Sequence, residues 1–152
     1  VRRGPSWILS DITWTVRSDE RWVLLGPNGA GKSTLLSLAA TRQHPTSGRV
    51  AVLGETMGMT DVFDLRPQIG LVGAGLTDAI PPREKVRDVV ITASWGITGR
   101  WREEYDEADA RRAERLLRLL GVSDLAERRF ATLSDGERKR VLIARALMTD
   151  PE

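Results

Sequence analysis

Gly26-Pro27-Asn28-Gly29-Ala30-Gly31-Lys32-Ser33 is the stretch on which the reading of this chain turns. It satisfies the pattern G-x-x-x-x-G-K-[ST], and it lies between an apolar run, Trp22 to Leu25, and a segment from Lys32 through Ala40. Leu35, Leu36, Leu38 and Ala39 give that segment the pattern of an apolar helix, ended by Pro45. Strand, glycine-rich loop and helix form the context in which the pattern has chemical meaning. Small residues let successive backbone N–H groups turn inward around phosphate oxygens, and the helix N-terminus adds a partial positive charge. The candidate binding residues are therefore Gly26, Asn28, Gly29, Ala30, Gly31, Lys32, Ser33 and Thr34. Lys32 is placed to reach β and γ phosphates and is the candidate catalytic residue. Ser33 offers a hydroxyl to Mg²⁺, and Thr34 can hydrogen-bond an α phosphate. The chain has three lysines against twenty arginines, so a lysine at this position is more pointed than composition predicts.

Outward from the loop, Ile8 to Val16 alternates loosely, and Ser18, Asp19 and Glu20 form a polar turn before Trp22. Two strands joined by a tight connection are expected there. Thr46, Ser47 and Gly48 lead into an expected strand from Val50 to Leu53, and a further one spans Ile69 to Val72. Strands flanking helices imply an α/β sheet. Beyond Pro81 and Pro82 the pattern turns helical: Val86, Val89, Val90 and Ala93 keep helical spacing. Asp109 to Leu120 places Ala110, Ala113, Leu116, Leu117 and Leu120 on one face, with Gly121 at C′. A last helix starts at Ser134 with Val141, Ala144, Leu147 and Met148 along one stripe, and Asp150 and Pro151 end it.

The 152 residues suit one domain or a large piece of one. No apolar run approaches the roughly 20 residues of a membrane helix. Zero cysteines exclude disulfides and thiolate chemistry and agree with a reducing compartment, the cytoplasm by default. The net charge of +2 comes from 23 basic and 21 acidic residues mixed together, so no nucleic-acid partner is expected. The chain begins with Val1 and shows no signal peptide, and both ends are read as cuts.

Leu133-Ser134-Asp135-Gly136-Glu137 opens the last helix. Ser134 with Glu137 three residues on is a capping box, and a structural role alone would explain that pair. With Arg138-Lys139-Arg140-Val141 and Ala144-Arg145-Ala146-Leu147 behind it, the stretch resembles the signature motif and helix of the ABC ATPase family. The wording Gly-Pro-Asn-Gly-Ala-Gly-Lys-Ser-Thr, Pro45-Thr46-Ser47-Gly48 and Ile69-Gly70-Leu71-Val72 are similar to the same family, so the likeness runs over nearly the entire chain. The resemblance implies a P-loop NTPase fold, α/β, with an incomplete RecA-like core over residues 1–74. A helical subdomain, inserted at about residue 75, and the signature helix would occupy residues 75–152. It implies ATP and Mg²⁺ as ligands and a second nucleotide-binding domain packed head to tail, whose bound γ phosphate Ser134 and Gly136 would touch. A serine hydroxyl, a glycine and a helix N-terminus are together suited to an anion.

The resemblance further implies an ATP-binding, ATP-hydrolysing subunit of a transporter, docked on a transmembrane permease subunit at the inner face of the membrane. The alternative is a soluble ABC ATPase without a membrane partner, acting as an ATP-dependent switch. Two positions depart from the family: Ala74 stands where it usually has glutamine, and Arg2 and Arg3 stand near where an aromatic residue stacks on adenine. An arginine plane can stack on a base, and a solvated terminus is the other reading. Trp7 is expected to pack against the sheet. Asp135 and Glu137 replace the commoner glycine and glutamine. The family's hydrophobic strand ending in Asp-Glu and its switch histidine find no counterpart, since Ala146 to Asp150 continues the helix and His44 reads as a loop residue. A fragment unable to hydrolyse ATP by itself is therefore expected.

Overall fold

A computed structural model describes residues 1–149 and 151, and in it the helical periodicities are realised closely and the expected strands poorly. The described chain divides into two compact units, residues 1–65 and 66–151.

In the first unit, β1 (Arg2–Arg3) pairs antiparallel with β2 (Ser6–Trp7), Arg2 opposite Trp7 and Arg3 opposite Ser6. The α-ammonium of Val1 donates to Leu9 O at 2.7 Å, which ties the terminus to this hairpin. α1 (Lys32–Ala39) follows the glycine-rich loop and buries Leu38. A second hairpin joins β3 (Ala51–Val52) to β4 (Glu55–Thr56) through Leu53 and Gly54. Both turn residues have positive φ (52° and 83°), the conformation a two-residue turn needs to match strand twist. α2 (Val62–Leu65) closes the unit.

The strands expected over Ile8–Val16 and Trp22–Leu25 do not form, and the one expected from Val50 is confined to Ala51–Val52. An extended run becomes a strand only when a neighbour takes its N–H and C=O groups, and in parallel sheets that neighbour comes from a distant segment. Val23 and Leu25 are 78% and 89% exposed, so the apolar run lies uncovered. The polar turn does form: Glu20 accepts from Arg17 N and from the Trp22 indole, both at 3.0 Å, and Trp22 meets Trp14 edge to face at 5.8 Å. Trp7 does not pack against a sheet. It stands 56% exposed on its hairpin, with the Arg2 guanidinium 6.0 Å above its ring.

The second unit holds a continuous apolar core built from four helices: α3 (Ala74–Ala79), α4 (Val86–Ile91), α5 (Glu107–Leu119) and α6 (Asp135–Met148). A 3₁₀ turn, Thr92–Trp95, extends α4. α6 packs on both α4 and α5. Val86, Val89, Val90, Val122 and Val141 are fully buried, each such side chain contributing about 1.5–3 kcal/mol. α5 starts two residues before the expected Asp109, because Asp106 caps it by accepting from Asp109 N at 2.7 Å. It ends as expected at Gly121, whose φ of 64° lets Val122 N reach Leu117 O (2.9 Å) and Gly121 N reach Arg118 O (3.1 Å). Those two bonds satisfy two of the orphan carbonyls of the last turn.

Ile69 to Val72 forms no strand; there Gly70 lies so close to α6 that an added Cβ would meet Ala146 O at 2.9 Å. Ala146 to Met148 is helical, and the expected helix end at Asp150 lies outside the described residues. On α6 the buried face is Val141, Leu142, Ala144, Arg145 and Met148, whereas Leu147, expected on that stripe, is 38% exposed.

Candidate functional site: the glycine loop and the start of the last helix

The glycine-rich loop enters α1 through Gly31, whose φ of 87° is the left-handed conformation. Gly31 is also crowded: a Cβ there would lie 2.7 Å from Leu9 Cδ2 and 3.0 Å from Ile8 O. Both constraints select glycine, one through backbone strain and the other through space. Gly26 and Gly29 likewise have positive φ, 157° and 83°. The first intrahelical bond of α1 runs from Leu35 N to Gly31 O, so the N–H groups of Lys32, Ser33 and Thr34 precede the helical ladder. No side chain caps this start, and no acidic residue lies in the first turn. The positive end of the helix is thus left for an anion from outside.

Lys32 turns back over the loop, its ammonium donating to Gly26 O and Pro27 O, both at 2.7 Å. The charge is therefore held above the same loop whose backbone would cradle phosphate. Asn28 and Ala30 lie on the exposed crest of the loop, and Ala30 N donates to Pro27 O at 3.3 Å. Ser33 is exposed at the second position of α1, with Thr34 beside it half-buried. Glycines of positive φ, an uncapped helix start, an ammonium held over the loop and an exposed hydroxyl fit a polyphosphate with its divalent cation. All eight residues expected to bind phosphate lie on this one loop and first turn.

The start of α6, in the other unit, is built the opposite way. Ser134 is its N-cap, and the capping box is complete. Ser134 N and Ser134 Oγ each donate to Glu137 Oε2 at 2.7 Å, and Glu137 N donates to Ser134 Oγ at 3.4 Å. The bond from Ser134 N, followed by that from its hydroxyl, holds the Glu137 carboxyl below the usual carboxylate range. Gly136 has open space where a Cβ would stand, and its φ is not positive. Nothing among the described residues accounts for a glycine in that helical turn, where it lowers helix propensity.

Ala74 begins α3 and is exposed. Arg3 is exposed on β1, and Arg2 is engaged with Trp7. Sequence reasoning passed over Arg145 as part of the Ala-Arg-Ala-Leu wording, although it is 3% exposed. Its place among Val141, Leu142, Ala144 and Met148 was the available signal, a charge standing on a core stripe.

The profile described as ABC transporter matches residues 9–152. The uncharacterized ABC transporter ATP-binding protein YlmA of Bacillus subtilis (strain 168) is 42% identical over 153 residues, spanning 100% of this chain and 58% of the relative. The phosphonates import ATP-binding protein PhnC of Nitratidesulfovibrio vulgaris is 36% identical, over 98% of this chain and 57% of its own length. The chain thus spans somewhat over half the length of these curated relatives. Among solved structures, the dimeric bacterial ABC transporter cassette MJ0796 matches with a TM-score of 0.66 and 26% identity, covering 82% of this chain and 54% of that one. The same cassette, with the same TM-score, is also known in a post-hydrolysis state bound to ADP and Pi. These neighbours establish the P-loop NTPase fold of ABC cassettes, and the profile spans all but the first eight residues. The chain belongs to the ABC transporter family, whose ATP-binding proteins are ATPases in general.

Proposed function

We propose that residues 1–152 are the loop-bearing and signature-bearing part of the ATP-binding subunit of an ABC transporter. The whole protein would couple ATP binding and hydrolysis to transport. The observation that carries this reading is the uncapped start of α1 beneath three glycines of positive φ, with the Lys32 ammonium held on the loop. In this reading residues 1–74 are the RecA-like part and residues 75–152 the helical subdomain with its signature helix. ATP supplies the phosphoanhydride bond, and Mg²⁺ supplies charge neutralisation. Gly26, Asn28, Gly29, Ala30 and Gly31 wrap the phosphates with backbone N–H groups. Lys32 would exchange its two carbonyl partners for phosphate oxygens, Ser33 would offer its hydroxyl to the metal and Thr34 would hydrogen-bond the α phosphate. Because the carbonyls hold the ammonium over the loop beforehand, little side-chain entropy remains to be lost.

The partner is a second nucleotide-binding domain, and the dimeric cassette among the structural neighbours supports this. Ser134 and Gly136 would close on the ATP of that opposite subunit. A transmembrane permease is the second partner, supported by the transporter names of the relatives, and with it the protein would sit at the inner face of the membrane. No helix among the described residues is long and apolar enough to cross a membrane. Turnover also needs a group that orients water and an acidic group near the metal, and in this reading residues 1–152 supply neither.

Phosphate release from Mg-ATP by the full-length protein tests the reading. Lys32→Ala should reduce turnover by about 10²–10³-fold, the order expected when one preorganised charge on the transferred group is lost. Residues 1–152 alone should show no turnover. Unchanged activity in Lys32→Ala would remove the assignment, and robust turnover by residues 1–152 would show that the hydrolytic groups lie within them.

A further inference from the structure

We infer that Arg145 is a positioning residue for the signature end of α6. It fixes that helix on α4 and the turn that follows, and so sets where Ser134 and Gly136 stand. This rests on the reading that those two residues meet the opposite subunit's ATP. Arg145 Nη1 donates to Val89 O and, at 2.8 Å, to Thr92 Oγ1, while Nη2 donates to Ile97 O. The Thr92 hydroxyl in turn donates to Val89 O at 3.2 Å, closing a triangle at the end of α4. Thr92 and Val89 are fully buried and Arg145 is 3% exposed.

Packing alone does not ask for an arginine here. The neighbouring positions on the same face are Val141, Leu142, Ala144 and Met148, and an apolar residue would continue that stripe without the desolvation cost of a guanidinium. A planar fork instead contributes direction. Two nitrogens on three acceptors from three successive parts of the opposing chain fix both the rotation of α6 about its axis and its depth against α4, which a single-point ammonium does not. Val89 and Thr92 lie on α4 and its 3₁₀ extension, and Ile97 lies just beyond, so one side chain ties α6 to three successive parts of the opposing wall.

The lever makes this matter for function. Ser134 is eleven residues from Arg145, about 16 Å along the helix at 1.5 Å per residue. A tilt of about 5° at the fork therefore displaces the signature end by roughly 1.4 Å. A misplacement of about 1 Å in a phosphate-contacting group can cost up to about 10²-fold. Nearer the signature end, α6 is also held by buried Leu133 and by Arg138 Nη2, which donates to Ala131 O at 2.7 Å, while Gly136 itself has no side chain to add a contact.

The test uses the full-length protein with ATPγS as the dimerising nucleotide, at a temperature well below the melting transition. Arg145→Lys should weaken nucleotide-driven dimerisation about tenfold or more, while the ADP affinity of the monomer stays within twofold. Thr92→Val, nearly isosteric and lacking the hydroxyl, should weaken dimerisation about threefold with the melting temperature little changed, and it decides the matter should Arg145→Lys fail to fold. Gly136→Val is the reference and should not dimerise. If Gly136→Val fails to dimerise while the folded Arg145 and Thr92 variants dimerise within twofold of the native protein, the positioning role is wrong. If Gly136→Val dimerises normally, the signature reading itself fails and the inference with it.

Discussion

α1 and α6 each begin at a glycine-containing stretch assigned to nucleotide, and they begin in opposite ways. α1 starts from a left-handed glycine with no side-chain cap and no acidic residue in its first turn, so its first N–H groups are open to an anion. α6 starts from Ser134, and Glu137 completes the box, so its first turn is satisfied before any ligand arrives. An open start binds by filling donors that nothing else fills. A closed start would bind by adding a contact to a cap that already holds, which suits the proposed role of meeting phosphate only when two subunits approach. The glycines divide the same way: Gly31 is required by its own fold, and Gly136 is not.

That contrast is sharpest in substitutions to alanine. Gly31→Ala puts a Cβ into the left-handed region and against Ile8 O and Leu9, and should destabilise the full-length protein by about 1–3 kcal/mol as well as weaken nucleotide binding. A melting temperature equal to the native one would break the claim that the loop's shape depends on this residue. Ser134→Ala removes the cap of α6 and should cost about 1 kcal/mol near neutral pH with ADP affinity unaltered. The pH dependence follows from Glu137, whose folded pKa lies below its ordinary 4.5. Its contribution is fully present above that ordinary value and is lost as pH falls through the lowered one. Only the hydroxyl's bond to the Glu137 carboxylate is both pH-dependent and lost in Ser134→Ala, so urea titrations of the variant and the native protein should differ most above pH 4.5 and narrow that difference in acid without closing it. Persistence of the full difference in acid would mean that Glu137 is not the partner that matters.

The smallest effect has the opposite sign. Gly136→Ala meets nothing within 4 Å, and it should leave stability unchanged or raise it by about 0.5 kcal/mol. A marked loss of stability would give Gly136 a folding role and remove the reason for assigning it to a ligand.

The helices and the loop were legible because their information is local. Ala113, Leu116 and Leu117 recur at helical spacing, Gly121 stops α5 where a left-handed residue is needed, and Ser134 with Glu137 marks the start of α6. The strands were not, since Trp22 to Leu25 carries only its own apolarity, and pairing depends on segments far away in sequence. The same limit hid Arg145: a stripe can be read for apolar residues, but the three acceptors that allow a charge to replace one come from Val89, Thr92 and Ile97. Leu147 was assigned to the stripe that Arg145 occupies.

Backbone amide chemical shifts of the full-length protein titrated with Mg-ADP test the contrast most directly, because ADP lacks the γ phosphate expected to draw a second subunit in. Large shifts at the amides of Gly29 to Thr34, with Ser134 to Glu137 unmoved, are the predicted result. Shifts at Ser134 to Glu137 in the monomer, or none at Gly29 to Thr34, would contradict the account.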